Sequence, residues 1–286
     1  MIIEILQQML NGLAIGSVYT VIALGLTVVF GILGIAHFAH GSVAMSGGYL
    51  TYLFGERLAI GFFPAMALAM GVGAVIGLLI ERLAYRPVRD APHINAFIIA
   101  LGLTMMVEGI NLLTFGADQV VIQTPYRGVF NVGGVAVAEL RLLVILTACT
   151  LIGVVALLIS RTKTGKSIRA VAQNRPAAVL MGVNVNRVSA IVFSVSSALG
   201  AAAGALVGAL LAIAPGVGEG IAVTGFAMLI LDGLGSIPGA IVGGLVLGVS
   251  ESLAAGFISS AYKDVIAFMV MIVVLLFRPE GLLGKR

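Results

Sequence analysis

Three carboxylates, a pair of histidines and one Gly-Lys-Ser triplet are the residues whose type and spacing could do chemistry. Glu108, Asp232 and Glu251 fall inside or beside long apolar runs. An unpaired carboxylate at mid-bilayer costs at least about 2.5–3.5 kcal/mol, so each should face a partner, water or the interface. Asp232 reads as an interfacial loop residue and Glu251 as a helix-end residue. Glu108 lies about 21 Å along its helix from residue 94, and Asn111 follows one turn later. His37 and His40 are three apart, on one face if helical. A metal would need a third ligand, and no Cys, Asp or Glu lies nearby in sequence; a hydrogen-bonded pair at a helix break is the simpler reading, and no metal is expected. Gly165-Lys166-Ser167 invites a phosphate-loop reading, but that motif needs Gly at position 160, where Ser stands, and a preceding strand. Nucleotide binding is therefore rejected.

The elements that must carry these residues follow from composition. Of 286 residues, 60% are hydrophobic, 10% are charged and 38 are glycine, with a mean hydropathy of +1.17. Soluble domains carry roughly 45–50% apolar and about 25% charged residues. That excludes a soluble enzyme, a nucleic-acid-binding domain and a disordered chain. An all-α, polytopic helical membrane bundle closely packed through small residues accommodates both anomalies. Apolar intervals place spans near residues 10–33, 58–80, 94–115, 142–159 and 188–218. A shorter Gly-rich helix is expected near 40–54, two segments flank Asp232 at 220–231 and 233–250, and a last span covers 265–277, starting nearer Phe257 with Lys263 and Asp264 snorkelling. The total is about eight crossings in one domain, residues 1–286. The N-terminus lacks a basic region and a cleavage site, so the first apolar segment is expected to act as its own insertion signal. Cys149 permits no internal disulfide.

Three clusters hold 12 of the 16 basic residues: Arg82, Arg86 and Arg89; Arg161, Lys163, Lys166, Arg169, Arg175 and Arg187; and Arg278, Lys285 and Arg286. The positive-inside rule puts all three, and the C-terminus, in the cytoplasm, with the loop 116–140 outside. The middle cluster, 161–187, reads as two short helices. Thr164 or Ser167 is expected to cap the first through Gln173; Asn174-Arg175-Pro176 opens the second and Gly182 stops it. Ile168, Val171, Val179, Leu180 and Met181 are its expected apolar contacts. By pattern alone, the loop is either a topogenic segment on anionic lipid or a docking platform.

Two Gly-rich breaks mark where a pathway would lie. Gly41–Tyr52 offers Ser42, Ser46, Tyr49 and Thr51, and a half-helix N-terminus in a membrane attracts carboxylates; close packing is the plainer alternative. The stretch from Asp232 to Gly239 cannot run as a straight helix, because Pro238 removes a backbone donor. Small-residue pairs at 12/16, 73/77, 200/204/208, 235/239/243 and 244/248 are stripes for close helix approach.

The run Gly165-Lys-Ser-Ile-Arg-Ala-Val-Ala-Gln-Asn-Arg-Pro-Ala-Ala-Val-Leu-Met-Gly-Val-Asn184 resembles the cytoplasmic coupling segment of the LivH family, permease subunits of bacterial ABC importers for branched-chain amino acids. Gly34-Ile-Ala-His-Phe-Ala-His-Gly-Ser-Val-Ala-Met-Ser-Gly-Gly-Tyr49 is similar to that family's N-terminal signature, with His37 where Asn often stands. Gly233-Leu-Gly-Ser-Ile-Pro-Gly-Ala-Ile-Val-Gly-Gly244 and Arg278-Pro-Glu-Gly-Leu282 resemble its C-terminal motifs. The resemblance runs from about residue 8 to 284 and implies a type II ABC importer permease fold in the inner membrane. It implies an ATPase-docking role for Gly165, Lys166, Ile168, Arg169, Ala170, Gln173, Asn174 and Gly182. Its implied partners are two ATPase subunits, a paralogous second permease, a periplasmic binding protein and membrane lipid, with no cofactor, no catalytic residue and no nucleic acid. His40, Gly41, Ser42, Ser46, Tyr49, Asn111, Gly235 and Ser236 are the pathway candidates. The substrate is expected to be a branched-chain amino acid, with urea, short amides or other amino acids as alternatives. From a different class, an ion-coupled carrier using Glu108 or Asp232 is the rival.

Overall fold

The computed structural model describes residues 1–34, 37–89, 91–233, 235–278 and 281–283, with side chains described at all of these but 93, 132, 263, 264 and 267. The expectations placed on Ile35, Ala36, Leu234, Pro279, Glu280, Lys285 and Arg286, and on the side chains of Lys263 and Asp264, lie outside the described residues.

The helices are α1 (Ile2–Leu33), α2 (His40–Leu58), α3 (Phe62–Ile80), α4 (His93–Phe115), α5 (Glu139–Arg161), α6 (Lys163–Gln173), α7 (Arg175–Leu180), α8 (Val185–Leu210), α9 (Val217–Asp232), α10 (Ile237–Phe257) and α11 (Lys263–Phe277). Among the described residues, six stretches are long and apolar enough to cross a membrane: Ile2–Leu33, Phe62–Val88, Ile94–Phe115, Glu139–Arg161, Val185–Leu210 and Ile237–Phe257. The six amount to an all-α membrane bundle. Helices α2, α9 and α11 are shorter, at 19, 16 and 15 residues. They fall where the sequence places its Gly-rich, Asp232-flanked and C-terminal segments, so about eight expected crossings stand, among the described residues, as six long apolar stretches and three shorter helices.

The core is built by small residues. The stripes Gly12/Gly16 and Gly244/Gly248 face each other where α1 crosses α10: a Cβ on Gly12 would sit 2.6 Å from the Val249 Cα, and one on Gly244 2.8 Å from the Thr20 backbone nitrogen. A Cβ on Gly73 would meet Ser197 and Ala201 of α8, and one on Gly48 would lie 2.8 Å from the Gly204 carbonyl oxygen. Helices α1, α2 and α8 form the buried centre; Ile22, Leu24, Tyr49, Phe193 and Leu206 are all enclosed there. These stripes pack within the chain, where backbones must approach closely to gain dispersion contact in a lipid solvent.

One element departs from the sequence reading. Residues 116–140, expected as loop, contain a hairpin of β1 (Val129–Val132) and β2 (Val135–Ala138), paired antiparallel with Val132 opposite Val135. The turn is Gly133-Gly134, with φ of +60° and +88°. Positive φ at both central residues is the primed turn whose twist matches a hairpin, and glycine adopts it without strain.

Contacts between elements sort the bundle into two ends. Gln7 of α1 donates to the Ala136 carbonyl at 2.8 Å and Val120 bridges to Ile213, which places the N-terminus, the hairpin and the α8–α9 turn together. At the other end, Arg89 reaches Asn186 at 2.7 Å, Arg169 donates to the Ile159 carbonyl, and Leu282 N–H donates to the Leu231 carbonyl at 2.8 Å. Arg89 and Arg175 border one cleft and Arg169 and Leu283 another, so the described parts of the three basic segments converge there.

Candidate functional site

Helix α2 starts inside the protein: its first ten residues, His40 to Tyr49, are all buried. The His40 ring is wedged between Gly25 and Gly200, where Cβ atoms would come within 2.6 and 3.0 Å of it, and its Nδ1 lies 3.3 Å from Ser196 Oγ. His37 Nδ1 lies 3.2 Å from the Tyr85 hydroxyl. The histidine rings stand edge to face at 6.0 Å. They are therefore not hydrogen-bonded to each other; each is tied to a hydroxyl on a different helix. Gly41 packs on α9, where a Cβ would lie 2.7 Å from the Ala222 nitrogen; its use is close approach.

Ser42, Ser46 and Tyr49 face α4 in parallel register. Ser42 Oγ donates to Glu108 Oε1 at 3.2 Å, Asn111 Nδ2 donates to Ser46 Oγ at 2.9 Å, and Tyr49 stacks on Phe115 at 4.6 Å, with Phe38 against Phe97 below them. The named pathway candidates Ser42, Ser46 and Asn111 thus form one polar ladder, which Tyr49 continues as an aromatic contact. Glu108 completes it, signalled in sequence by its i,i+3 spacing to Asn111. The Tyr49 hydroxyl has no partner among the described residues.

Gly235 and Ser236 belong elsewhere. The Gly31 backbone crosses Gly235, where a Cβ on Gly235 would lie 3.1 Å from the Gly31 Cα, and Ser236 Oγ caps α10 by accepting from Gly239 N–H at 3.1 Å. Both line a cleft of about 570 Å³ shared with Thr27, Gly31, Ile159, Ile168, Arg169 and Ala172. Two of the breaks proposed for one pathway therefore sit apart: one against α4, the other against the basic end.

In the 161–187 segment, Thr162 caps α6, accepting from Gly165 N–H at 2.9 Å. That corrects the expected caps Thr164 and Ser167. Gly165 lies under the end of α5, where a Cβ would meet the Ile159 carbonyl carbon at 2.6 Å. Ile168 and Val171 are buried and Ala170 half-buried, while Lys166 and Gln173 are exposed. Asn174 Oδ1 accepts from Ala177 N–H at 2.9 Å and opens α7; Gly182, at φ +79°, ends it. The expected burial of Val179, Leu180 and Met181 is corrected. They are 53, 88 and 84% exposed, and Ala178 is the residue α7 buries. A six-residue helix has only one side to bury, and Ala178 takes it.

The carboxylates also differ from expectation. Asp232 is wholly buried at the end of α9, with neither oxygen partnered among the described residues. Glu251 is buried and accepts from the Tyr19 hydroxyl at 2.7 Å, joining α10 to α1.

A family profile described as "Branched-chain amino acid transport system / permease component" matches residues 8–275. The chain belongs to this family. Among relatives, the high-affinity branched-chain amino acid transport system permease protein BraD of Pseudomonas aeruginosa is 37% identical, covering 98% of this chain and 96% of its own. The corresponding LivH of Escherichia coli is 35% identical with the same coverage. The ribose import permease protein RbsC of Escherichia coli is 27% identical over 95% of this chain. Among solved structures, PsaBC from Streptococcus pneumoniae in complex with Fab aligns with a TM-score of 0.51 at 11% identity, covering 94% of this chain and 91% of that one, which shows a shared fold. As a permease component the protein is a transport subunit and not an enzyme.

Proposed function

We propose that this chain is the membrane subunit through which branched-chain amino acids cross the bacterial inner membrane, worked by two ATPase subunits and supplied by a periplasmic binding protein. A paralogous second permease completes the pore. Selectivity for a small apolar substrate suits a chain with so few charges in its spans. The basic end faces the cytoplasm, the C-terminus with it, and residues 161–187 form the ATPase dock. Ser42, Ser46, Tyr49 and Asn111 are the polar contacts along the route.

The observation that carries this reading is α7. Val179, Leu180 and Met181 are exposed side by side at the end of a capped α6–α7 pair. Exposed apolar residues at a charged end mark a protein contact, and α6, which leads directly into the helix that presents them, is braced on α5 through Arg169. Force applied to α7 reaches the spans through that brace.

Arg169→Glu is expected to insert normally and to lower ATP-driven leucine uptake, in liposomes holding the full set of subunits, by at least about tenfold, roughly 1.4 kcal/mol of coupling. Full uptake by the purified chain alone, driven by an ion gradient without ATPase, would instead establish the carrier reading.

A further inference from the structure

We infer that the cleft between α1, α5, α6 and α10 is a binding site for an aliphatic carboxylate that lacks an ammonium group, such as a 2-oxo acid or a fatty acid. Its volume of about 570 Å³ falls in the ~300–1,000 Å³ range of small-molecule sites. Val28, Ile32, Ile159, Ile168, Ile237 and Leu283 make its walls, all aliphatic. Arg169 is the charged residue among its described lining. A guanidinium carries five N–H donors, and the Ile159 carbonyl engages it through Nη1 alone among the described residues, which holds the group at the cleft wall with donors remaining for a carboxylate.

Two further features point to an anion. Thr27 lines the cleft, is 2% exposed, and its hydroxyl has no partner among the described residues. A buried hydroxyl is expected to be satisfied, and an oxo or carboxylate oxygen would do so. The N-terminus of α10, capped by Ser236 and 21 residues long, opens on the same space with its positive dipole end. No Asp or Glu lines the cleft among the described residues. An amino acid would bring its ammonium there without a counter-charge, at a desolvation cost; a 2-oxo acid has none to bring.

The location gives occupancy a consequence. Ile168, Arg169 and Ala172 are α6 residues, while Thr27 and Ile237 belong to α1 and α10. A ligand in the cleft ties α6 to the spans and favours the arrangement in which they are close. On the transport reading above, which this consequence alone rests on, the ligand slows import from the cytoplasmic side. The same chemistry could come from a soluble 2-oxo acid or from a fatty acid of the membrane.

The test is binding to the purified full-length chain in nanodiscs, by thermal unfolding and calorimetry, with 4-methyl-2-oxopentanoate, decanoate and leucine as probes. The expected result is a saturable rise in Tm with 4-methyl-2-oxopentanoate or decanoate, the tighter of the two naming the source, and binding of leucine about tenfold weaker or more. Thr27→Val should weaken binding several-fold without lowering the ligand-free Tm, and Ile32→Phe should fill the cleft and abolish it. Absence of saturable binding by both carboxylates, leucine binding as tightly as they do, or unchanged affinity in Thr27→Val would overturn the inference. If Ile32→Phe does not fold, Thr27→Val decides. Because the readout is binding to this chain alone, failure here leaves the transport reading standing.

Discussion

Arg89 and Glu81 meet at 2.5 Å with side chains only 8% and 0% exposed, and the same guanidinium reaches Asn186 at the start of α8. Glu81 opens the π-helical turn Glu81–Tyr85 that extends α3, and the widened turn carries both Glu81 and Tyr85 into the interior. Removing one member of a buried pair leaves an uncompensated charge and costs about 3–5 kcal/mol, whereas replacing both by apolar residues is close to neutral. Arg89→Leu should therefore lower the thermal midpoint sharply in detergent, and Glu81→Leu/Arg89→Leu should recover most of the loss; additive losses in the double variant would refute the pairing. In sequence, Arg89 reads only as one of three topogenic arginines, because an ion pair spanning eight positions through a π turn has no periodic signature. Ser42, Ser46, Tyr49 and Asn111 were legible as polar residues in apolar runs. That they form a ladder with Glu108 depends on the register of α2 against α4, which no local pattern encodes.

At the scale of elements, the α6–α7 pair shows what short-range chemistry does and does not specify. The stop at Gly182 and the cap at Asn174 follow from residue type and are found in place. The first cap shifts to Thr162 because its hydroxyl, at the β-region residue ahead of α6, is the one positioned to accept from Gly165. The outward face of α7 is not legible in sequence, because apolar residues read as core unless a partner is known. Asn174→Ala should remove about 1 kcal/mol of cap energy from α7. The expected outcome is unchanged global melting with faster amide exchange confined to residues 175–181, together with weakened retention of the ATPase subunits on purification; α7 protected as before would show that packing of Ala178, not the cap, holds it. The hairpin has a local signature, Gly133-Gly134 between Val-Phe-Asn-Val and Val-Ala-Val-Ala, the spacing of a two-residue turn. Four-residue strands carry little signal beside apolar spans of about 20 residues.

The whole molecule is organised by where its charge sits. The first basic cluster joins the start of α8 through Arg89 and Asn186, the second braces on α5 through Arg169, and the tail after the third cluster's Arg278 docks on α9 through Leu282. The opposite end holds the N-terminus, the hairpin and the α8–α9 turn. Composition and charge-free intervals made the bundle legible, and Lys/Arg asymmetry gives the expected polarity, because both arise from transfer of single segments between water and lipid. Which helices cross whole and which stop partway was less so: α2 and α9 are set by packing against each other and α8, as Gly41 on Ala222 and Gly48 on Gly204 illustrate. The polarity can be tested directly. In a Cys149→Ser background, a single cysteine at Phe130 (54% exposed, on β1) should react with a membrane-impermeant maleimide in intact spheroplasts. One at Met181 (84% exposed, beyond α7) should react only after permeabilisation. Labelling of both from the same side would contradict the arrangement of ends, since Gln7 ties the hairpin to the first turns of α1 and a 32-residue helix, about 48 Å long, separates those turns from the α6 end.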